Sequence, residues 1–325
     1  MTIAVLGEAL IDMIIGEDGA YRPHLGGSPY NVAIGLARQE VPVSYLSCLS
    51  DDRFGDELKA SLDQAGVQLP LRRRSLWPTS LALVTVNEVG LPSYRLYREG
   101  VADKDTSLQE IVENLPADLQ VFHTGSLAIT PSQLPKINEL FRLLKARDVC
   151  LSVDINIRLR GSIDHNRYLN GVRSLLSAVD IVKASDEDID AFAIGGSARS
   201  VARRLHEEME GGMLVLTEGN GGATLFGSGE PLVAKAFTVP RVSDTVGAGD
   251  SFHAAFLACL YRAGNFGNGA DLRDEKALSA ALEYACAAAA INVSRAGCEP
   301  PTTSEVAEFL RASVSSELTG RSSGI

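Results

Sequence analysis

Cysteine and histidine are scarce in this 325-residue chain, and each scarcity closes off a class of chemistry. The five cysteines, Cys48, Cys150, Cys259, Cys286 and Cys298, are odd in number and contain no Cys-x-x-Cys pair. That spacing builds neither a disulfide framework nor a thiolate metal knuckle. Several of them fall in apolar runs and read as buried thiols of a reducing compartment. The five histidines, His24, His123, His165, His206 and His253, show no ligand spacing, which argues against zinc or iron. Positive charge is short as well. Thirty Lys and Arg stand against 41 Asp and Glu, a net charge of −11, which argues against nucleic acid or an anionic membrane as the main partner. Long apolar runs are missing too: stretches such as Tyr284 to Ser294 fall well short of the ~20 residues of a membrane span. Glu8 and Asp12 interrupt what would be a signal-peptide core, so a soluble cytoplasmic protein is expected.

What is present is an alternation of short apolar strands and amphipathic helices. Ile3 to Leu6, Val43 to Leu49, Leu119 to Phe122, Val149 to Val153, Val179 to Val182 and Met213 to Leu216 read as buried strands. Helical patterns separate most of them, and Glu275 to Val293 forms a long Ala-rich helix. This predicts an α/β domain with a mainly parallel central sheet covered by helices on both faces. Two hairpins break the alternation. Asp18-Gly19 punctuates Met13 to Ile15 and Ala20 to His24, and Gly90 and Pro92 connect Ser80 to Val86 with Ser93 to Arg98. They predict a small antiparallel sheet added to the main domain, over residues 12–25 and 79–100. Residues 1–314 then form one domain, with a Ser/Gly-rich tail from Ser315 to Ile325.

The polar residues Glu8, His123, Asp154, Asn156, Lys183, Thr217 and Gly219 each fall just past a predicted strand end. In open α/β sheets ligands bind at that edge. Gly26-Gly27-Ser28-Pro29-Tyr30-Asn31 precedes a helical pattern, with Ser28 placed as N-cap and Pro29 at the first helical position. The most informative stretch is Ser243-Asp244-Thr245-Val246-Gly247-Ala248-Gly249-Asp250-Ser251-Phe252, which runs into Phe252, Ala255, Phe256, Cys259 and Leu260 at helical spacing. Glycines at a helix start bare the first N–H groups at the positive end of the dipole, a pocket for an anion such as a phosphoryl oxygen. Asp250 at its lip is either an ordinary helix-entry carboxylate or a base that accepts a proton from an attacking hydroxyl.

The motif "DTVGAGDSF" resembles the C-terminal signature of the ribokinase-like (phosphofructokinase B) carbohydrate kinases, and "GGSPYN" resembles their N-terminal one. The likeness covers nearly the whole chain, to about Pro301. "GEALID", "GGSPYNVAIGLAR" and "AAAAINVSRAG" look most like bacterial fructokinases. The resemblance implies a ribokinase-like fold with a β lid and transfer of the γ-phosphoryl group of ATP to a sugar hydroxymethyl group, most simply of fructose. Ketodeoxygluconate, ribose or a nucleoside are the alternative acceptors within the family. An oxidoreductase is disfavoured, because Gly7-Glu8-Ala9-Leu10-Ile11-Asp12 lacks Gly-x-Gly-x-x-Gly. A non-catalytic sugar binder is disfavoured by the intact Asp250.

By the same resemblance Asp250 is the base and Gly247, Ala248 and Gly249 contribute the anion hole. Asp12, Gly27, Asn31 and Arg98 hold the sugar, with Arg98 reaching in from the lid. Lys183, Thr217, Gly219 and Gly222 line the ATP site. Asp188 takes the position of a family glutamate near Mg²⁺, and Asp244 with the Val246 carbonyl binds a potassium-like cation. The exposed lid face is a surface on which a second copy could form a homodimer.

Overall fold

The computed structural model describes residues 1–16, 18–86, 92–159, 164–267 and 270–320. Gly90, expected in the second hairpin connection, lies outside them.

The chain opens with β1 (Thr2–Val5), then the hairpin β2 (Leu10–Ile15) and β3 (Tyr21–Gly26), and helix α1 (Ser28–Arg38). Next come β4 (Val43–Tyr45), β5 (Leu49–Ser50), α2 (Arg53–Ala65) and β6 (Arg74–Ser75). The second pair of lid strands is β7 (Ser80–Val86) and β8 (Pro92–Tyr97). The remainder alternates: α3 (Leu108–Glu113), β9 (Leu119–Gly125), α4 (Leu134–Lys145), β10 (Cys150–Asp154), α5 (His165–Leu175), β11 (Ile181–Ser185), α6 (Asp186–Ala191), α7 (Ala198–His206) and β12 (Met213–Thr217). The hairpin β13 (Ala223–Phe226) and β14 (Leu232–Ala234) precedes α8 (Ala248–Arg262), α9 (Glu275–Val293) and α10 (Thr303–Gly320). Residues 315–320, expected in a tail, continue helix α10.

Eight strands form the main sheet in the order β14-β13-β12-β11-β10-β9-β1-β4, parallel from β4 through β12 and antiparallel at the β13–β14 end. Side-chain alternation along β1 assigns its two faces. Ile3 and Val5 join a core with Val32, Leu36, Phe256 and Ile291 of α1, α8 and α9. Ala4 and Leu6 join the opposite core with Phe141, Val172 and Leu205 of α4, α5 and α7. Both faces are covered, as the run-like apolar strands require.

Helix α8 departs from the amphipathic reading. Ala254, Leu257 and Ala258 are buried along with Phe252 and Phe256, because α1 packs on one side and α9 on another. A Cβ on Gly35 of α1 would come within 2.6 Å of the Ala254 Cβ, so this pair of small residues sets how closely the two helices approach.

The lid is a four-stranded sheet in the order β3-β2-β7-β8. Its two outer pairings are antiparallel, but the central pair β2–β7 runs parallel, so the sheet is mixed. The parallel pair arises because the strands that start the two lid segments, β2 and β7, lie side by side. Among the described residues no helix is long and apolar enough to cross a membrane.

Candidate active site

The site forms where the lid, the start of α1 and the start of α8 meet beyond the C-terminal ends of the central strands. Gly247 caps α8 with φ of 73°, a left-handed conformation that glycine adopts without penalty. A Cβ there would also fall 2.1 Å from Cys298 Sγ, so the position is closed to larger residues twice over. The Ala248 N–H donates to Thr245 O at 3.2 Å, which takes it out of the expected set of free donors. Among the described residues, no acceptor is bound to the N–H groups of Gly247, Gly249 or Asp250. Lys183 lies directly behind this turn: its Nζ would be 2.9 Å from a Cβ on Gly249. The helix start therefore combines bare amides, the positive dipole end and one ammonium group.

Asp250 is 8% exposed, and both its oxygens are held from α1. Ser28 Oγ donates to Oδ1 at 2.7 Å, and Asn31 Nδ2 donates to Oδ2 at 2.8 Å. Burial raises the Asp250 pKa above the ordinary carboxylate range, and these two donors oppose that rise. The N-cap expectation for Ser28 is corrected here: Gly27, with φ of 112°, caps α1, and Ser28 is its first residue. Ser28 is released from capping and turns its hydroxyl to Asp250, while its N–H donates to Glu8 Oε1 at 3.3 Å. A Cβ on Gly27 would collide with the Glu8 carbonyl at 2.4 Å, so a glycine is needed where the entry to α1 passes the β1–β2 connection.

Asp12 sits over the same crevice, its Oδ2 2.4 Å from where a Cβ on Gly26 would lie. Burial raises its pKa to about 6, eased by Arg158 and reinforced by Asp250, so these three groups share one electrostatic neighbourhood. Arg158 had no role in the sequence reading; its only signal was its place two residues past Asn156, beyond the end of β10. Glu8, in the connection between β1 and β2, is buried and its pKa rises to about 7 through burial, against the pull of Arg98.

Arg98 is buried and paired at the root of the lid. Its Nη2 donates to Asp103 Oδ2 at 2.5 Å in a buried ion pair, and Ser80 Oγ donates to the other Asp103 oxygen at 2.9 Å. The guanidinium ties the root of the lid to the loop that follows it.

Lys183 is likewise paired, at 3.0 and 2.9 Å with the two oxygens of Asp154. Burial alone would lower the Lys183 pKa; Asp154, Asp188 and Asp250 outweigh it and hold the lysine charged. The same burial lifts Asp154 to about 6. Thr217 ends β12, and Gly219 beyond it is exposed at φ of 50°. Gly222 does not face the opening: it is buried, and a Cβ there would meet Ala234 O at 2.1 Å, so it serves the approach of β14.

Asp188 acts as a cap. Its Oδ2 accepts from Ser185 N and Oγ, each at 2.8 Å, and its Oδ1 accepts from Ile157 N at 2.6 Å. Three bonds to this carboxylate do not suit a direct metal ligand. Asp244 accepts from Val246 N and Gly297 N, and the Val246 carbonyl accepts from Asn292 Nδ2 at 2.8 Å. These are oxygen donors only, gathered at the C-terminal end of α9, and fit a hard monovalent cation in kind.

His123 falls inside β9 and not beyond it. It is fully buried and linked through Ser152 Oγ, at 3.1 and 2.7 Å, to His253 of α8. Burial, followed by the charge of Lys183, lowers the His123 pKa to about 3, so the ring is neutral.

Known proteins share this chain's sequence pattern and fold. A fructokinase from Rhizobium leguminosarum bv. trifolii is 31% identical over 264 residues, 79% of each chain. The crystal structure of a Xylella fastidiosa fructokinase with bound ATP superposes with a TM-score of 0.85 at 28% identity, covering 96% of this chain and 99% of the other. A double mutant of a Vibrio cholerae O395 fructokinase, in a fructose-, ADP- and potassium-bound form, shares the fold at a TM-score of 0.82 and 21% identity, covering 95% of this chain and 98% of the other. The family model described as pfkB family carbohydrate kinase matches residues 2–305, and the chain belongs to that family.

Proposed function

We propose that this carbohydrate kinase transfers the γ-phosphoryl group of ATP to a hydroxymethyl group of fructose, with Asp250 as the base. The observation that carries the reading is the pairing of an amide-lined helix start with a buried carboxylate whose two oxygens are fixed from α1. Fructose as acceptor rests on the fructokinase relatives, the Rhizobium enzyme above all.

In the proposed reaction Asp12, Gly27 and Asn31 hold sugar hydroxyls, with Arg158 nearby. Asp250 aligns one hydroxyl and takes its proton as the new O–P bond forms and the bond to the ADP oxygen breaks. The transition state of such a transfer is loose, so positioning and charge stabilisation outweigh strong base catalysis. The N–H groups of Gly249 and Asp250 and the Lys183 ammonium supply that stabilisation on the protein side. Thr217 and Gly219 border the nucleotide. Magnesium, when bound to ATP, would neutralise phosphate charge; Asp188, with three hydrogen bonds to its carboxylate, would contact it through water. Asp244 and the Val246 carbonyl would hold a potassium ion, as oxygen ligands.

Residues 1–314 act as one domain in this reading, with the lid closing over the sugar to exclude water, the competing acceptor. A homodimer forms through the lid, where Tyr21 and Tyr97 are exposed. Cytoplasmic residence accords with five free cysteines.

The test is ADP release with ATP and Mg²⁺ against fructose, ketodeoxygluconate, ribose and adenosine. Fructose should give the highest kcat/KM. A higher value for any other acceptor would overturn the fructose assignment while leaving the kinase reading intact.

A further inference from the structure

A small cavity lies behind the lid root. It measures about 20 Å³ and is lined by Gly7, Ser47, Arg98, Asp103, Lys104 and Lys136 among its polar groups. Asp12, Asn31 and Asp250 do not line it, so it is separate from the crevice described above. That volume suits one water-sized particle, which needs roughly 10–15 Å³, and is too small for phosphate or sulfate.

The charge around it is unbalanced. Three cations line the cavity, yet Asp103 is the only carboxylate among the lining residues. Arg98 is 8% exposed, and its Nη1 is buried with no hydrogen-bond partner among the described residues. Asp103 is already spent, accepting from Arg98 Nη2 and Ser80 Oγ. Lys104 Nζ donates to Arg98 O at 2.6 Å and Lys136 Nζ to Thr106 O at 3.0 Å, both neutral carbonyls. An ammonium has three donors, so each lysine keeps others in hand. Burial lowers the pKa of both lysines against the opposing pull of Asp103. Two nearby acids supply part of the counter-charge: Glu99, which acts on Lys104, is exposed, and Glu8, which faces Arg98, is only partly ionised near neutral pH because burial raises its pKa to about 7. Arg98 is buried and the two lysines are half-buried around it; desolvated cations that share one carboxylate are costly, and a neutral water would leave that cost standing.

We propose that this cavity is a binding site for a monatomic anion, chloride in a cell, held by Arg98 Nη1 and the ammonium groups of Lys104 and Lys136. The ion joins the end of the lid sheet, through Arg98, to helix α4, through Lys136. It fixes the lid root without touching the sugar.

The test uses crystals of the full chain grown with sodium bromide in place of chloride and measured at the bromine absorption edge. An anomalous peak among Arg98, Lys104 and Lys136 is expected; an ordinary water there, with no anomalous signal, overturns the site. In solution, melting is compared in sodium chloride and sodium gluconate at equal ionic strength. Chloride should raise the Tm of the parent chain by about 1–3 °C and leave Lys136→Met unmoved. Equal melting of the parent in both salts, or the same chloride shift in the variant, contradicts the assignment.

Discussion

Asn31 Nδ2 and Asp250 Oδ2 are 2.8 Å apart and 219 residues apart in sequence. With Ser28 on the other oxygen, the orientation of the Asp250 carboxylate is set by α1 and not by the helix that carries it. Ser28→Ala removes one donor to the ionised form, so the Asp250 pKa climbs further. Protonated Asp250 cannot take the sugar proton, and activity is lost as pH falls. The acid limb of kcat/KM should therefore move up by about 1–2 pH units, the worth of a hydrogen bond to a charged group. A pH–rate profile checks this, and an unmoved limb would detach Ser28 from the chemistry.

Gly247→Ala should damage the anion hole selectively. Alanine at φ of 73° costs about 1–2 kcal/mol, and its Cβ must displace Cys298 at an overpacking cost of about 1–3 kcal/mol. Turnover should fall by ~10-fold or more with the sugar KM little changed. A raised sugar KM with unchanged kcat would place the defect elsewhere.

Lys183→Met should strand Asp154 without its partner and destabilise by about 3–5 kcal/mol near pH 8, less near pH 5 where Asp154 takes up a proton. Adding Asp154→Leu should restore much of the stability but none of the turnover, since the ammonium behind Gly249 stays absent. Denaturant melts and kinetics on the two variants separate these effects.

Glu8→Gln makes a signed pH prediction. Glu8 has a folded pKa of about 7 against 4.5 in the unfolded chain, so the folded state holds the extra proton between those values. Its contribution to stability is full below pH 4.5 and is lost as pH rises through 7. A neutral amide carries no such loss. Relative to the parent, the variant should gain about 3 kcal/mol between pH 4.5 and pH 8 and then level off. A pH-independent difference in urea melts would show that Glu8 is ionised throughout.

The fold was legible because buried parallel strands appear as short apolar runs, and the lid because Asp18-Gly19 marks its first turn and Pro92 the start of β8. The helix start at Gly247 was legible because amide exposure and left-handed backbone both demand glycine. Other features were hidden in tertiary contacts. Ser28 looks like a cap in any local window, and only Asp250, far along the chain, shows its use. His123 stands where a site residue would, yet β9 runs two residues further and buries it against Ser152 and His253. Asp188 and Gly222 match binding patterns by spacing; neighbouring amides and β14 claim them instead. Arg158 and Asp103 carried no local signal that distinguishes them from solvated charges.

The most direct measurement is ADP release from ATP and fructose by Asp250→Asn, with melting temperature recorded alongside. The account predicts turnover reduced by ~10²-fold or more in a protein that melts close to the parent. Turnover near the parent value in a folded Asp250→Asn protein would contradict it.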